Sequence, residues 1–158
     1  MKKSPWKTYV FWIGLSLVTG TISGLLSRNA MDMYSETLIK PPLSPPGIVF
    51  PIVWTLLYTL MGISMARVRL APKNEKQHPA TVLFLLQLGL NFFWSLIFFN
   101  LSAYGLALIW LVTLWITVAI MIPVFFDVDA PAARLQVPYL LWLTFAAYLN
   151  FGVWQLNP

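Results

Sequence analysis

Cysteine is absent from the 158 residues, histidine occurs once, and only 9% of positions are Asp, Glu, Lys or Arg. The missing cysteine excludes disulfides, thiolate metal sites and cysteine nucleophiles, and leaves the redox compartment open. The scarcity of charge excludes a water-facing surface, because soluble domains average about 25% charged residues. Apolar residues fill the space instead: 59% of the chain is hydrophobic, with a mean hydropathy of +0.74. The length suits one domain. A net charge of +5 is no sign of nucleic-acid binding here. The ten basic residues are scattered at the ends of apolar stretches, where they carry topology and form no polyanion-binding patch.

The fifteen charged residues fall in four clusters, 2–7, 28–40, 67–76 and 127–134. The intervals between them are uncharged, and a bilayer crossing needs about 20 apolar residues. Spans are predicted at 8–26, 48–66, 80–99, 104–126 and 135–154. The uncharged stretch 77–126 is too long for one crossing and must turn back at Asn100-Leu101-Ser102-Ala103-Tyr104-Gly105. The fold class is therefore an all-α integral membrane protein, a bundle of five transmembrane helices. A signal peptide is the alternative for the first span, with Lys2, Lys3 and Lys7 as its basic flank. The apolar run is longer than a usual signal core and no A-x-A site precedes Met31, which favours a retained anchor.

Five spans put the termini on opposite sides. One side receives Lys2, Lys3, Lys7, Arg67, Arg69, Lys73, Lys76 and Arg134; the other receives only Arg28 and Lys40. The positive-inside rule then places the N-terminus in the cytoplasm and loop 27–47 with the C-terminus outside, in a multi-pass protein of the cell membrane. Trp6, Tyr9 and Trp12 at one end, with Tyr104 and Trp154 at the other, fit interfacial aromatic belts. Ser16, Gly20 and Gly24 form a small-residue ridge that lets another helix approach, in the same chain or in a second copy. In Lys40-Pro41-Pro42-Leu43-Ser44-Pro45-Pro46-Gly47, four prolines without amide protons forbid a helix. This stretch is either a spacer or a stiff lid.

Three spans carry groups that lipid tolerates poorly. Gln87, Asn91, Trp94 and Phe98 share one helical face of the third span; Tyr139, Trp142, Ala146 and Asn150 share one face of the fifth. Trp54 and Tyr58 stand one turn apart in the second. An unpartnered amide in hydrocarbon costs several kcal/mol, so these faces point inward. At about 1.5 Å of rise per residue, Asn150 lies about 6 Å, Trp94 about 8 Å, Trp54 about 9 Å, Asn91 about 12 Å and Trp142 about 18 Å below the loop-side surface. One reading makes the amides interhelical glue and the indoles filling. The other makes the set a small-molecule pocket under the proline-rich loop, with Pro45, Pro46 and Ile48 at its rim.

Several chemistries are excluded. No span contains Asp, Glu, Lys, Arg or His, so a membrane carboxylate relay and a retinal Schiff base are unsupported. The single histidine, His78, stands at the other end of the third span and cannot ligate a haem iron in this pocket. No metal site and no required cofactor are expected.

The same residues carry a family resemblance. The run Leu38-x-Lys40-Pro41-x-x-x-Pro45-Pro46-x-x-x-Phe50-x-x-Val53-Trp54-Thr55-x-x-Tyr58 resembles the signature of the TspO/translocator-protein family, also called the peripheral-type benzodiazepine receptors. So do Gln87-x-x-x-Asn91-x-x-Trp94-Ser95-x-x-Phe98-Phe99 and Pro138-Tyr139-x-x-Trp142-x-x-Phe145-Ala146-x-x-Leu149-Asn150. The resemblance implies a five-helix bundle, often a homodimer, that binds porphyrins such as protoporphyrin IX and benzodiazepine- or isoquinoline-type ligands. It also implies one of three roles: transport of porphyrin or sterol, stress sensing through partners, or light- and oxygen-dependent porphyrin breakdown. For breakdown, the implied catalytic pair is Trp54 and Trp142, and the implied pocket amides are Asn91 and Asn150. Arg28 and Lys40 are the basic residues on the lid side available to porphyrin propionates. Two departures stand out. Leu43 occupies a position where the family often has Trp, and the tail 149–158 lacks the basic residue that a cholesterol-recognition pattern needs after Tyr148, which argues against sterol binding.

Overall fold

The computed structural model describes residues 4–158, and among them every regular element is helical. Helices α1 (Pro5–Thr37), α2 (Val49–Leu70), α3 (Gln77–Ser95), α4 (Tyr104–Val128), α5 (Ala130–Leu135) and α6 (Val137–Leu156) follow one another along the chain. A π-helical turn, Leu96–Asn100, continues α3. Five stretches are long and apolar enough to cross a bilayer: α1, α2, α3 with its π turn, α4, and α5 with α6. The expected all-α five-span class is thus observed, and the chain is an integral, multi-pass membrane protein.

The helix ends follow local chemistry. Pro5 opens α1, where its missing amide proton has no intrahelical partner to lose. Asp129 caps α5 by accepting from the Ala132 amide at 3.0 Å, and it also accepts from Arg67 Nε at 2.7 Å. This pair ties the end of α2 to the α4–α5 corner. In the π turn, the Leu101 amide reaches back five residues to the Leu96 carbonyl at 3.0 Å.

One expected boundary is wrong. The first span was set at 8–26 with a loop from 27, but α1 runs unbroken for 33 residues to Thr37, about 50 Å of helix. The connection to α2 is therefore helix-free only from Leu38 to Ile48. Arg28 ends the apolar run without ending the helix, since no Pro or Gly intervenes before Pro41. The extra turns have a partner. Tyr34 packs edge-on against Phe99 at 5.4 Å between ring centroids and lies tilted against Phe98 at 5.6 Å.

Helix α1 packs along α2, α3 along α4, and α4 along α6. Of the small residues of α1, Gly20 makes its contact within this chain: a Cβ built on it would overlap the Tyr58 ring. Likewise Gly62 of α2 lies against the Ile13 backbone. Polar side chains bridge helices as expected where water is absent: Ser23 donates to the Phe92 carbonyl, Trp110 to Leu90 and Ser64 to Ala132. The tightest core, with Met61, Met65, Phe84, Met121 and Phe125 fully buried, occupies the half of the bundle nearer the N-terminus. The other half, under the proline-rich connection, is hollow.

Candidate functional site

The hollow is a cavity of about 540 Å³ walled by α1, α2, α3, its π turn and α6, and roofed by the 38–48 connection. Of the residues expected at a pocket, Pro45, Trp54, Tyr58, Asn91, Trp94, Phe98, Trp142, Ala146 and Asn150 all lie in its wall. Trp54 and Trp142 meet at right angles, 6.4 Å between centroids, and Phe50 stands edge-on to Trp142 at 6.0 Å. Across the cavity, Trp94 stacks on Phe98 at 5.2 Å. Three indoles therefore present ring surface to one space.

Pro46, Ile48, Gln87 and Tyr139 are not in the wall. Ile48 is 67% exposed on the outside of α2, and Pro46 is exposed beside it. Gln87 and Tyr139 are fully buried beneath the cavity. There the Tyr139 hydroxyl accepts from Asn91 Nδ2 at 2.8 Å and donates to Gln87 Oε1 at 2.8 Å. The Tyr58 hydroxyl donates to Asn91 Oδ1 at 3.2 Å, and Gln87 Nε2 reaches the Met61 sulfur at 3.9 Å. This four-residue network is the floor.

The amides Asn91 and Asn150 bond between helices and also line the cavity. Asn150 accepts from Trp94 Nε1 at 3.2 Å and donates to the Tyr104 carbonyl at 2.9 Å. Asn91 and Asn150 each have one further N–H and one further lone pair that these bonds do not use. The Trp142 N–H is buried without a partner. Among the described residues, Lys40 is the one formally charged residue in the wall, and its ammonium donates to the Ser35 carbonyl at 3.3 Å. Arg28 and His78 lie outside the wall.

The roof is fastened to α6. Tyr148 donates to the Pro42 carbonyl at 2.7 Å, and Asn157 bonds both the Ile39 amide at 3.1 Å and its carbonyl at 2.8 Å. Pro41 packs on Gly152 so closely that a Cβ there would overlap the proline ring. The connection therefore covers part of the cavity and is fastened to the end of the bundle. Leu43, at its turn, takes a left-handed φ of 69° and is 82% exposed. It is not among the residues of the cavity wall.

Sequence reasoning missed the contribution of α1, whose Leu17, Gly20, Thr21, Gly24, Met31 and Tyr34 form much of one wall. The small-residue ridge was the only signal there.

Comparisons with known proteins agree with this architecture. The TspO/MBR family model matches residues 12–155. The tryptophan-rich protein TspO of Chlorobaculum tepidum is 40% identical over 152 residues, 96% of each chain. The tryptophan-rich sensory protein of Cereibacter sphaeroides is 35% identical over 152 residues, 96% of this chain and 92% of its own. The translocator protein of Bos taurus is 31% identical over 155 residues, 97% and 92% respectively. With a family model spanning almost the whole chain and relatives of matching length, this protein belongs to the TspO/MBR family.

Proposed function

We propose that the cavity binds a flat amphipathic molecule of the tetrapyrrole class, with protoporphyrin IX as the type ligand, and that benzodiazepine- or isoquinoline-type compounds compete for it. The observation that carries this reading is the set of three indoles, Trp54, Trp94 and Trp142, around a mostly apolar cavity of about 540 Å³. That volume lies within the range of about 300–1,000 Å³ usual for small-molecule sites. Ring faces take the macrocycle, Asn91 and Asn150 offer their spare hydrogen-bonding positions, and Lys40 faces a propionate at the rim. With the positive-inside orientation, the site lies in the outer half of a cell-membrane protein.

Turnover, on this reading, is photochemical. No Asp, Glu or His lines the cavity, so the wall offers no general acid or base working near neutral pH. An illuminated porphyrin with oxygen supplies the oxidising power, and the protein holds the macrocycle against Trp54 and Trp142. Transport across the bilayer is the rival reading. It is disfavoured by the floor, where Tyr58, Asn91, Tyr139 and Gln87 close the cavity above the packed methionines and Phe84. Titrating protoporphyrin IX into the solubilised protein tests binding: tryptophan emission should quench saturably near one ligand per chain. Quenching that never saturates, or that is identical in a Trp54→Phe/Trp142→Phe variant, refutes the proposal.

A further inference from the structure

Helices α1 and α2 touch closely in one half of the bundle and part in the other. Gly62 meets the Ile13 backbone, and one further contact, Gly20 on the Tyr58 ring, closes the seam at the level of the cavity floor. One turn above, a Cβ on Gly24 would meet nothing within 4 Å. The residues flanking this gap, Thr21 and Leu25 on α1 with Pro51 and Thr55 on α2, line the cavity and are at the same time exposed on the outside of the bundle, Leu25 by 64%. That outside is the lipid-facing surface of two spanning helices.

We propose that this gap is a doorway through which ligands reach the cavity from the bilayer, in the leaflet on the side of the proline-rich lid. The site thereby selects molecules that dissolve in lipid before they bind, which deepens the tetrapyrrole reading and rests on it for the ligand's identity. Two features support the lateral route. On the aqueous side, the connection over the cavity is fastened by the bonds from Tyr148 and Asn157 and by Pro41 on Gly152. The doorway's edges also suit lipid. The Thr55 hydroxyl is spent on the Pro51 carbonyl at 2.7 Å, and Pro51 has no amide proton to expose. Seven residues from Pro51 to Tyr58 make the opening about 10 Å tall.

The absence of native cysteine makes the test direct. A nitroxide on Gly24→Cys, in lipid nanodiscs, is compared with one on lipid-facing Val18→Cys and one on water-facing Leu43→Cys. Relaxation by molecular oxygen close to that at Val18, with little relaxation by the nickel–EDDA complex, supports the doorway. A nickel response like that at Leu43, or low response to both reagents, overturns it. In a second arm, Thr21→Cys/Thr55→Cys is bridged by a short thiol crosslinker and protoporphyrin IX exchange is followed by stopped-flow quenching. Association and dissociation should both slow about tenfold against the same double variant before bridging; rates that the bridge leaves unchanged overturn the doorway. Should the unmodified protein fail to bind the porphyrin, the ligand assignment falls while the nitroxide arm still decides the route.

Discussion

Tyr139 and Asn91 are joined by a 2.8 Å hydrogen bond from the amide to the phenol oxygen, and that oxygen's own proton goes to Gln87 at 2.8 Å. One hydroxyl thus satisfies groups on both ends while α6 is held to α3. Replacing Tyr139 by Phe leaves two buried amides short of a partner, at about 1–3 kcal/mol each. Tyr58→Phe, which removes a single 3.2 Å bond, should cost less than half as much. Thermal unfolding of both variants in the same detergent checks the order; equal losses would contradict it.

Gly20 and Gly24 should respond oppositely to the same change. Alanine at Gly20 drives its Cβ into the Tyr58 ring and should cost about 1–3 kcal/mol through overpacking. Alanine at Gly24 enters open space and removes an unfavourable helical glycine, so stability should be unchanged or higher by up to about 1 kcal/mol. Denaturation midpoints of the two variants decide this.

Asp129 does two jobs, capping α5 and pairing with Arg67. Asp129→Asn keeps a capping oxygen and loses the charge; Asp129→Ala loses both. The alanine variant should lose about 1–2 kcal/mol, mostly the cap, and the asparagine variant clearly less, because the pair is partly solvated. An asparagine variant as unstable as the alanine one would show that the ion pair, not the cap, dominates.

The lid bonds are separable from the site. Tyr148→Phe together with Asn157→Ala removes the clasps on Pro42 and Ile39. Hydrogen exchange at Leu38–Gly47 should rise sharply while global stability falls by no more than about 1 kcal/mol, since these groups are solvent-exposed. Exchange unchanged across that stretch would mean that other contacts hold the lid.

Much of this was legible in the residues, and the failures have definite causes. Charge clusters mark where apolar runs stop, which located four of the spans to within a few residues. They do not mark where a helix stops, so Arg28 concealed the last turns of α1 and with them Met31 and Tyr34 of the cavity wall. Helical period sorts side chains by face but not by level. Gln87 and Tyr139 were grouped correctly with Asn91 and Trp142, yet they lie one layer down, in the floor. The π turn leaves no trace in Leu96–Asn100, although it shapes how Phe98 and Phe99 meet Trp94 and Tyr34. The wall from α1 was hidden because Gly, Thr and Leu carry no chemistry of their own.

The most direct test of the central claim fills the cavity without adding an indole. Ala146 lies in the wall, 8% exposed, and Ala146→Phe places a ring where the macrocycle would sit. Titrated with protoporphyrin IX in nanodiscs, this variant should remain folded and bind at least about 100-fold more weakly than the parent, a loss of about 2.7 kcal/mol. Binding within about threefold of the parent would show that the porphyrin does not occupy this cavity.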